Sequence, residues 1–318
     1  MSNDPSSSVE IDAHLESRKK RRKIGAIIAA GAVAVLAAGI ITAVALQNSA
    51  ANAEGGGSEL IALKIADTAQ SDFQDAIVEV GRENGLAIEF INFDDPYLPN
   101  TALVEGEVDA NSFQHVAWLS QFNGANDEDI TPLFSTVIST WGLFSQDYAA
   151  AEELPEGARV AVPDDPANFS RSLFILETAG VLEVSDDAGV FPTEEDISAN
   201  PRNIELVRIA HESVQTAYSD PTISAVVLGA DDLDPALGVT SEDALVLEDA
   251  TAKTSSPYAI VVATRADNIE NPAWALLEKT YRDERVVAAL EEEKRGEATI
   301  VELPVDDLRR ALADLTEQ

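Results

Sequence analysis

The sequence contains no cysteine, which excludes a disulfide, a thiolate metal site and a thiol-linked lipid anchor. Basic residues are scarce: 21 Lys and Arg stand against 57 Asp and Glu, for a formal charge of −36. A surface of that sign repels polyanions and excludes a nucleic-acid partner. Histidine is limited to His14, His115 and His211, none of them in an H-x-x-x-H spacing, so no zinc or calcium site is expected. G-x-G-x-x-G, G-x-x-x-x-G-K-[ST] and G-x-S-x-G are all missing, which leaves nucleotide loops and the hydrolase nucleophile elbow without support. Acid pairs such as Asp94 with Asp95 or Asp231 with Asp232 carry little information in so acidic a chain. Ser170 with His115 is the one nucleophile and base pair that can be named, so an enzyme is the weaker class and no cofactor is expected.

What is present is a chain of 318 residues, 45% of them hydrophobic, long enough for a tail and two packed domains. Residues 1–16 are polar and lead into the basic block RKKRRK at 18–23. The 23 residues from 24 to 46 carry no charge and are rich in Ala, Ile, Val and Gly, enough to span roughly 30 Å of hydrocarbon as a helix. The expectation is a single-pass transmembrane helix, with residues 1–23 held in the cytoplasm and the rest of the chain extracellular. A rival is a secretory signal peptide cleaved after Ala53, since Ala51, Asn52 and Ala53 form an A-x-A pattern. Residues 47–58 are small, polar and Gly-rich, and read as a flexible tether.

From residue 60 onward, short apolar runs alternate with helical patterns. A strand at 60–66, a helix at 73–84 ended by Gly85 and a strand at 86–93 make a βαβ unit, which implies parallel strands. Further strands are expected at 108–113, 159–163, 203–209, 223–228 and 258–264, and further helices at 115–122, 211–217, 272–281 and 283–295. Two such α/β halves predict a clamshell with a ligand cleft at the strand ends. Lobe 1 is assigned to residues 59–147 and 256–318, and lobe 2 to 148–255.

The most informative stretch is 159–180. Its first five residues read as a strand ended by Pro163; Asn168 or Ser170 is read as the cap of a helix that stops at Gly180. Arg171 then falls in the first helical turn, where a cation is locally disfavoured, as expected of an arginine kept to grip a carboxylate.

Two motifs, NSFQHVAWLSQFN at 111–123 and VPDDPANFSRSLFILETAG at 162–180, resemble the methionine-binding lipoproteins that serve ABC methionine importers. FDDPYLPN at 93–100 and SPYAIVVATRADN at 256–268 support the resemblance, which runs from about residue 60 to about residue 300. It implies a type II periplasmic-binding-protein fold, two lobes with the ligand between them, here preceded by one transmembrane helix in place of the family's lipidated cysteine. It also implies a membrane-tethered solute-binding protein that passes methionine or a related amino acid to an ABC importer permease. The alternatives are a ligand-sensing or adhesion module on the same fold, or a binder of another small carboxylate. Carried over by position, Arg171 takes the ligand carboxylate, Phe113, His115 and Trp118 surround the thioether, and Asn168 organises the loop or touches the ligand. Pro96 stands where the family has an aromatic residue, for which Tyr97 is the candidate replacement. Leu228 matches the family's asparagine that holds the amino group, and an acid such as Asp231 or Asp94 is then needed to replace that contact.

Overall fold

The structure is a computed structural model that describes residues 59–250 and 253–317. The chain opens with β1 (Ile61–Asp67), α1 (Asp72–Glu83) and β2 (Leu86–Asn92). Ser71 caps α1 by accepting from the Gln74 amide, and Gly85, at φ +92°, turns the chain back into β2. The strands pair in parallel from Ile61 with Leu86 to Asp67 with Asn92. α2 (Leu98–Val104), β3 (Ala110–His115), α3 (Val116–Asn126) and β4 (Ile130–Ser135) continue the lobe, and a short β5 (Val137–Ser139) leads out of it.

The second half holds β6 (Trp141–Phe144), β7 (Arg159–Pro163), α4 (Pro166–Thr178), a small hairpin of β8 (Glu183–Val184) and β9 (Ile197–Ala199), β10 (Glu205–Ile209), α5 (His211–Ala217), β11 (Ala225–Gly229) and β12 (Val246–Leu247). The chain then returns through β13 (Ile260–Arg265), α6 (Ala273–Tyr281), α7 (Glu284–Glu293), β14 (Ala298–Ile300) and α8 (Val305–Thr316).

Two five-stranded sheets result, ordered β2-β1-β3-β13-β4 and β10-β7-β11-β6-β12, while β5 and β14 form a separate antiparallel ribbon. Each sheet is mixed: β13 runs antiparallel to β3 and β4, and β6 antiparallel to β11. β6 belongs to the second sheet, so the chain changes sheets within residues 136–140. Leu63, Ile65, Phe73, Ile77 and Leu277 form the core under α1 and α6 on one face of the first sheet. On its other face Val116 and Leu119 of α3 pack with Leu308, Leu312 and Leu315 of α8. The second sheet is covered by Phe169, Leu173 and Leu176 of α4 on one side and by Val214 and Ala217 of α5 on the other. This is the two-lobed type II arrangement, with the carboxyl ends of β1, β3, β7, β10 and β11 leading into the residues that line a shared cleft.

Membrane attachment is corrected. No helix among the described residues is long and apolar enough to cross a membrane; the longest, α4, has 13 residues against the ~20 that a bilayer core requires. The transmembrane helix expected at 24–46 lies outside the described residues, as do the basic tail and the tether. The two-lobed fold accordingly has no transmembrane helix among the described residues, and the single-pass topology, the cytoplasmic amino terminus, the membrane contact through 24–46 and the exchange of a lipidated cysteine for such an anchor have no support in it.

Candidate functional site

A cavity of about 420 Å³ lies between the lobes, within the size range of small-molecule sites. Phe113, His115 and Trp118 reach it from the end of β3 and the start of α3; Asn168 and Arg171 reach it from α4. Period-two alternation in β3 explains the first pair. Gln114, which also borders the cavity, is 3% exposed with its side chain hydrogen-bonded to Asn100 and Asn111, and alternation along the strand turns the side chains of Phe113 and His115 the other way.

The helix carrying Arg171 starts earlier than the sequence suggests. Its cap is Asp165, whose Oδ1 accepts from the Asn168 amide at 2.8 Å, and Pro166 occupies the first position, for which its fixed φ is suited. Asn168 and Ser170 are thus inside the helix, and Arg171 lies beyond the first turn. Its side chain is 3% exposed. The guanidinium carbon sits 4.5 Å from the Trp141 ring centroid and 4.4 Å from that of Tyr258, between two aromatic faces. Nε donates to Glu248 Oε2 at 3.0 Å, Nη2 donates to Glu248 Oε1 and to the Ser139 carbonyl, and Nη1 has no hydrogen bond among the described residues. The Trp141 amide donates to the same Glu248 carboxylate at 2.9 Å. Arg171 therefore already holds one carboxylate of its own chain, in the bidentate mode that arginine favours.

His115 is a connector. Its Nδ1 accepts from the Trp118 amide at 3.0 Å and caps α3, which places the proton on Nε2, donated to Asn168 Oδ1 at 3.0 Å. Asn168 Nδ2 in turn donates to Asp165 Oδ2 at 3.1 Å, so a chain of three side chains joins the lobes. Desolvation, with the nearby Arg171 charge second, lowers the imidazole pKa to about 3, so the ring is neutral. Burial likewise raises the Asp165 carboxyl and pushes the Tyr258 phenol up to about 12. Ser170 is not a nucleophile beside His115: its hydroxyl lies 2.7 Å from the Pro166 carbonyl and 3.0 Å from that of Pro192, and both imidazole nitrogens are engaged elsewhere.

Two sequence candidates stand apart. Tyr97 is 56% exposed and packs on Trp118 at 5.4 Å in an outer recess with Asp95 and Asp164, while Asp94, Pro96 and Glu212 line both that recess and the inner cavity. Leu228 is 1% exposed and packs with Phe144, Ala161 and Val214, away from the cavity wall. The structure adds Trp141, Tyr258, Ser139, His211, Asp232 and Lys294 to the lining. Tyr258 lay within the SPYAIVVATRADN match and so was detectable, whereas nothing near Glu248 in sequence marks it as the partner of an arginine 77 positions away. At the end of β11, Asp231 is 1% exposed and paired with Lys294 at 2.9 Å, and Ser139 Oγ donates to it at 3.1 Å. Burial disfavours the Lys294 charge, but Asp231 outweighs it and the ammonium pKa is raised. Desolvation, followed by the Asp231 charge, raises the Asp232 carboxyl.

The profile of the NlpA lipoprotein family matches residues 61–301. Among curated proteins the chain is 30% identical over 223 residues to the D-methionine-binding lipoprotein MetQ of Salmonella typhimurium, covering 70% of this chain and 80% of that protein. Protein PG110 from Staphylococcus aureus superposes with a TM-score of 0.73 at 26% identity, over 80% of this chain and 99% of the other. A nutrient binding protein from Burkholderia cenocepacia, solved bound to methionine, gives a TM-score of 0.67 at 30% identity, over 75% of this chain and 99% of its own.

Proposed function

Because the chain belongs to the NlpA lipoprotein family, we propose that it captures methionine or a related amino acid outside the cell membrane and passes it to the permease of an ABC importer. Family membership makes it a solute-binding protein and not an enzyme. The observation that carries the choice of ligand is the buried Arg171 guanidinium, set between the Trp141 and Tyr258 rings at the wall of the inter-lobe cavity. Glu248 holds the Nε–Nη2 edge and fixes the plane, and the ligand carboxylate approaches Nη1. Phe113 and Trp118 line the same cavity, and a thioether packs on ring edges at about 0.3 to 1.5 kcal/mol per contact. The methionine in the Burkholderia protein and the D-methionine named for the Salmonella relative support this side chain.

Titration calorimetry of the full chain with methionine tests the reading. Arg171→Ala is expected to weaken binding by about 2 to 5 kcal/mol, as loss of one partner of a desolvated charged contact does. Unchanged affinity overturns the role of Arg171, and no binding by the unaltered protein overturns the choice of ligand.

A further inference from the structure

Arg171 accounts for one end of an amino acid; the ammonium end needs an acceptor. Leu228, which the resemblance set opposite it, is in the core, but the next residue, Gly229, ends β11 against Trp141 and Asp232, both of which line the cavity. A Cβ built on Gly229 would lie 2.6 Å from Asp231 Oδ1, 3.0 Å from Asp232 Oδ2 and 3.2 Å from Trp141 Cδ1. Two carboxylates thus occupy the volume that a side chain at the strand end would fill.

These carboxylates are not equivalent. Asp231 is buried, with its charge committed to Lys294 and a further bond from Ser139. Asp232 lines the cavity; its Oδ2 accepts from the Gly229 amide at a long 3.3 Å, and the nearest cationic candidate is His211 Nε2 at 4.0 Å. The two permanent cations on the cavity wall are both spoken for, Arg171 by Glu248 and Lys294 by Asp231. Asp232 is therefore a cavity-facing carboxylate without a strong counter-ion.

Its position suits the geometry of an α-amino acid. Ser139 connects the two ends of the site: its carbonyl accepts from Arg171 Nη2 at 2.8 Å, and its hydroxyl donates to Asp231 Oδ2 at 3.1 Å. Trp141 spans the same gap, with the Arg171 guanidinium over its ring and its Cδ1 against the Gly229 corner. Arg171 and Asp232 thus line one cavity and both approach Trp141, which sets a carboxylate receptor and an acidic corner within the same site.

We propose that Asp232 receives the α-ammonium of the bound amino acid and makes that group a requirement for tight binding. A charge-assisted hydrogen bond forms when the ammonium is present, and a ligand without it leaves a desolvated carboxylate unpaired. The inference rests on the reading of the cleft as an amino-acid site. Its test is a pair of calorimetric titrations on the full chain, with methionine and with its des-amino analogue 4-(methylthio)butanoate. Asp232→Asn is expected to weaken methionine at least tenfold while binding the des-amino acid as tightly as the unaltered protein or more so. Methionine affinity left unchanged, or both ligands weakened equally, overturns the assignment of Asp232. Failure of the unaltered protein to bind methionine is a separate result and overturns the proposed function instead. Asp232→Ser, which keeps an acceptor for the Gly229 amide, repeats the comparison if the amide variant does not fold.

Discussion

A guanidinium between two rings, with a carboxylate on one edge, has little freedom to turn, so Arg171 is held in one orientation, as the proposed role of carboxylate receptor requires. The same low-dielectric setting keeps His115 neutral, so the contact between the lobes at Asn168 does not switch near neutral pH. Asp67, at the end of β1, shows the opposite case. Burial raises its carboxyl from 3.8 to about 6, so the folded protein binds its proton more tightly than the unfolded chain does. The stability linked to that proton is fully present below pH ~4 and is lost as the pH rises through about 6. Asp67→Asn keeps an acceptor for the Thr68 amide. It is expected to stabilise the protein at pH 7 by on the order of 2 kcal/mol and by almost nothing at pH 4, as read from denaturant unfolding at the two pH values.

At the scale of elements, the carboxyl-terminal helix α8 ties the end of the chain back to the first lobe. Leu308, Leu312 and Leu315 recur at helical spacing and sit in one cluster with Val116 and Leu119 of α3. Leu312 is 7% exposed. Leu312→Ala removes buried methyl groups and leaves a cavity, with an expected loss of about 2 to 5 kcal/mol in chemical denaturation. A loss near zero would mean that α8 frays without consequence for the lobe it covers. Local chemistry made most elements readable: the α7 cap at Asp283, the stop at Gly180 with φ +69°, and α5 at His211–Ala217 all follow from nearby residues. The start of α4 was displaced because Asp, Asn and Ser all cap helices well, and the deciding residue was Pro166 at the first helical position.

For the whole molecule the dominant quantity is the net charge of −36. Self-repulsion of that size opposes compaction, and salt shortens its reach from about 30 Å at 0.01 M to about 8 Å at 0.15 M. The melting temperature is expected to rise as sodium chloride is raised over that interval. A fall would show that surface pairs such as Arg285 with Glu83 outweigh the repulsion.

Periodicity, caps and turn residues act over a few positions, so the sequence by itself determined most of the strands and helices and their alternation into two α/β lobes, while the association of Phe113, His115, Asn168 and Arg171 came from the resemblance of two motifs and not from any local pattern. Tertiary structure decided what depends on contacts between distant segments. It put β6 into the second sheet, Glu248 onto Arg171, Leu228 into the core, and Lys294 onto Asp231. Pairing of strands and charges across tens of residues is chosen by packing and burial, which have no local signature in the chain.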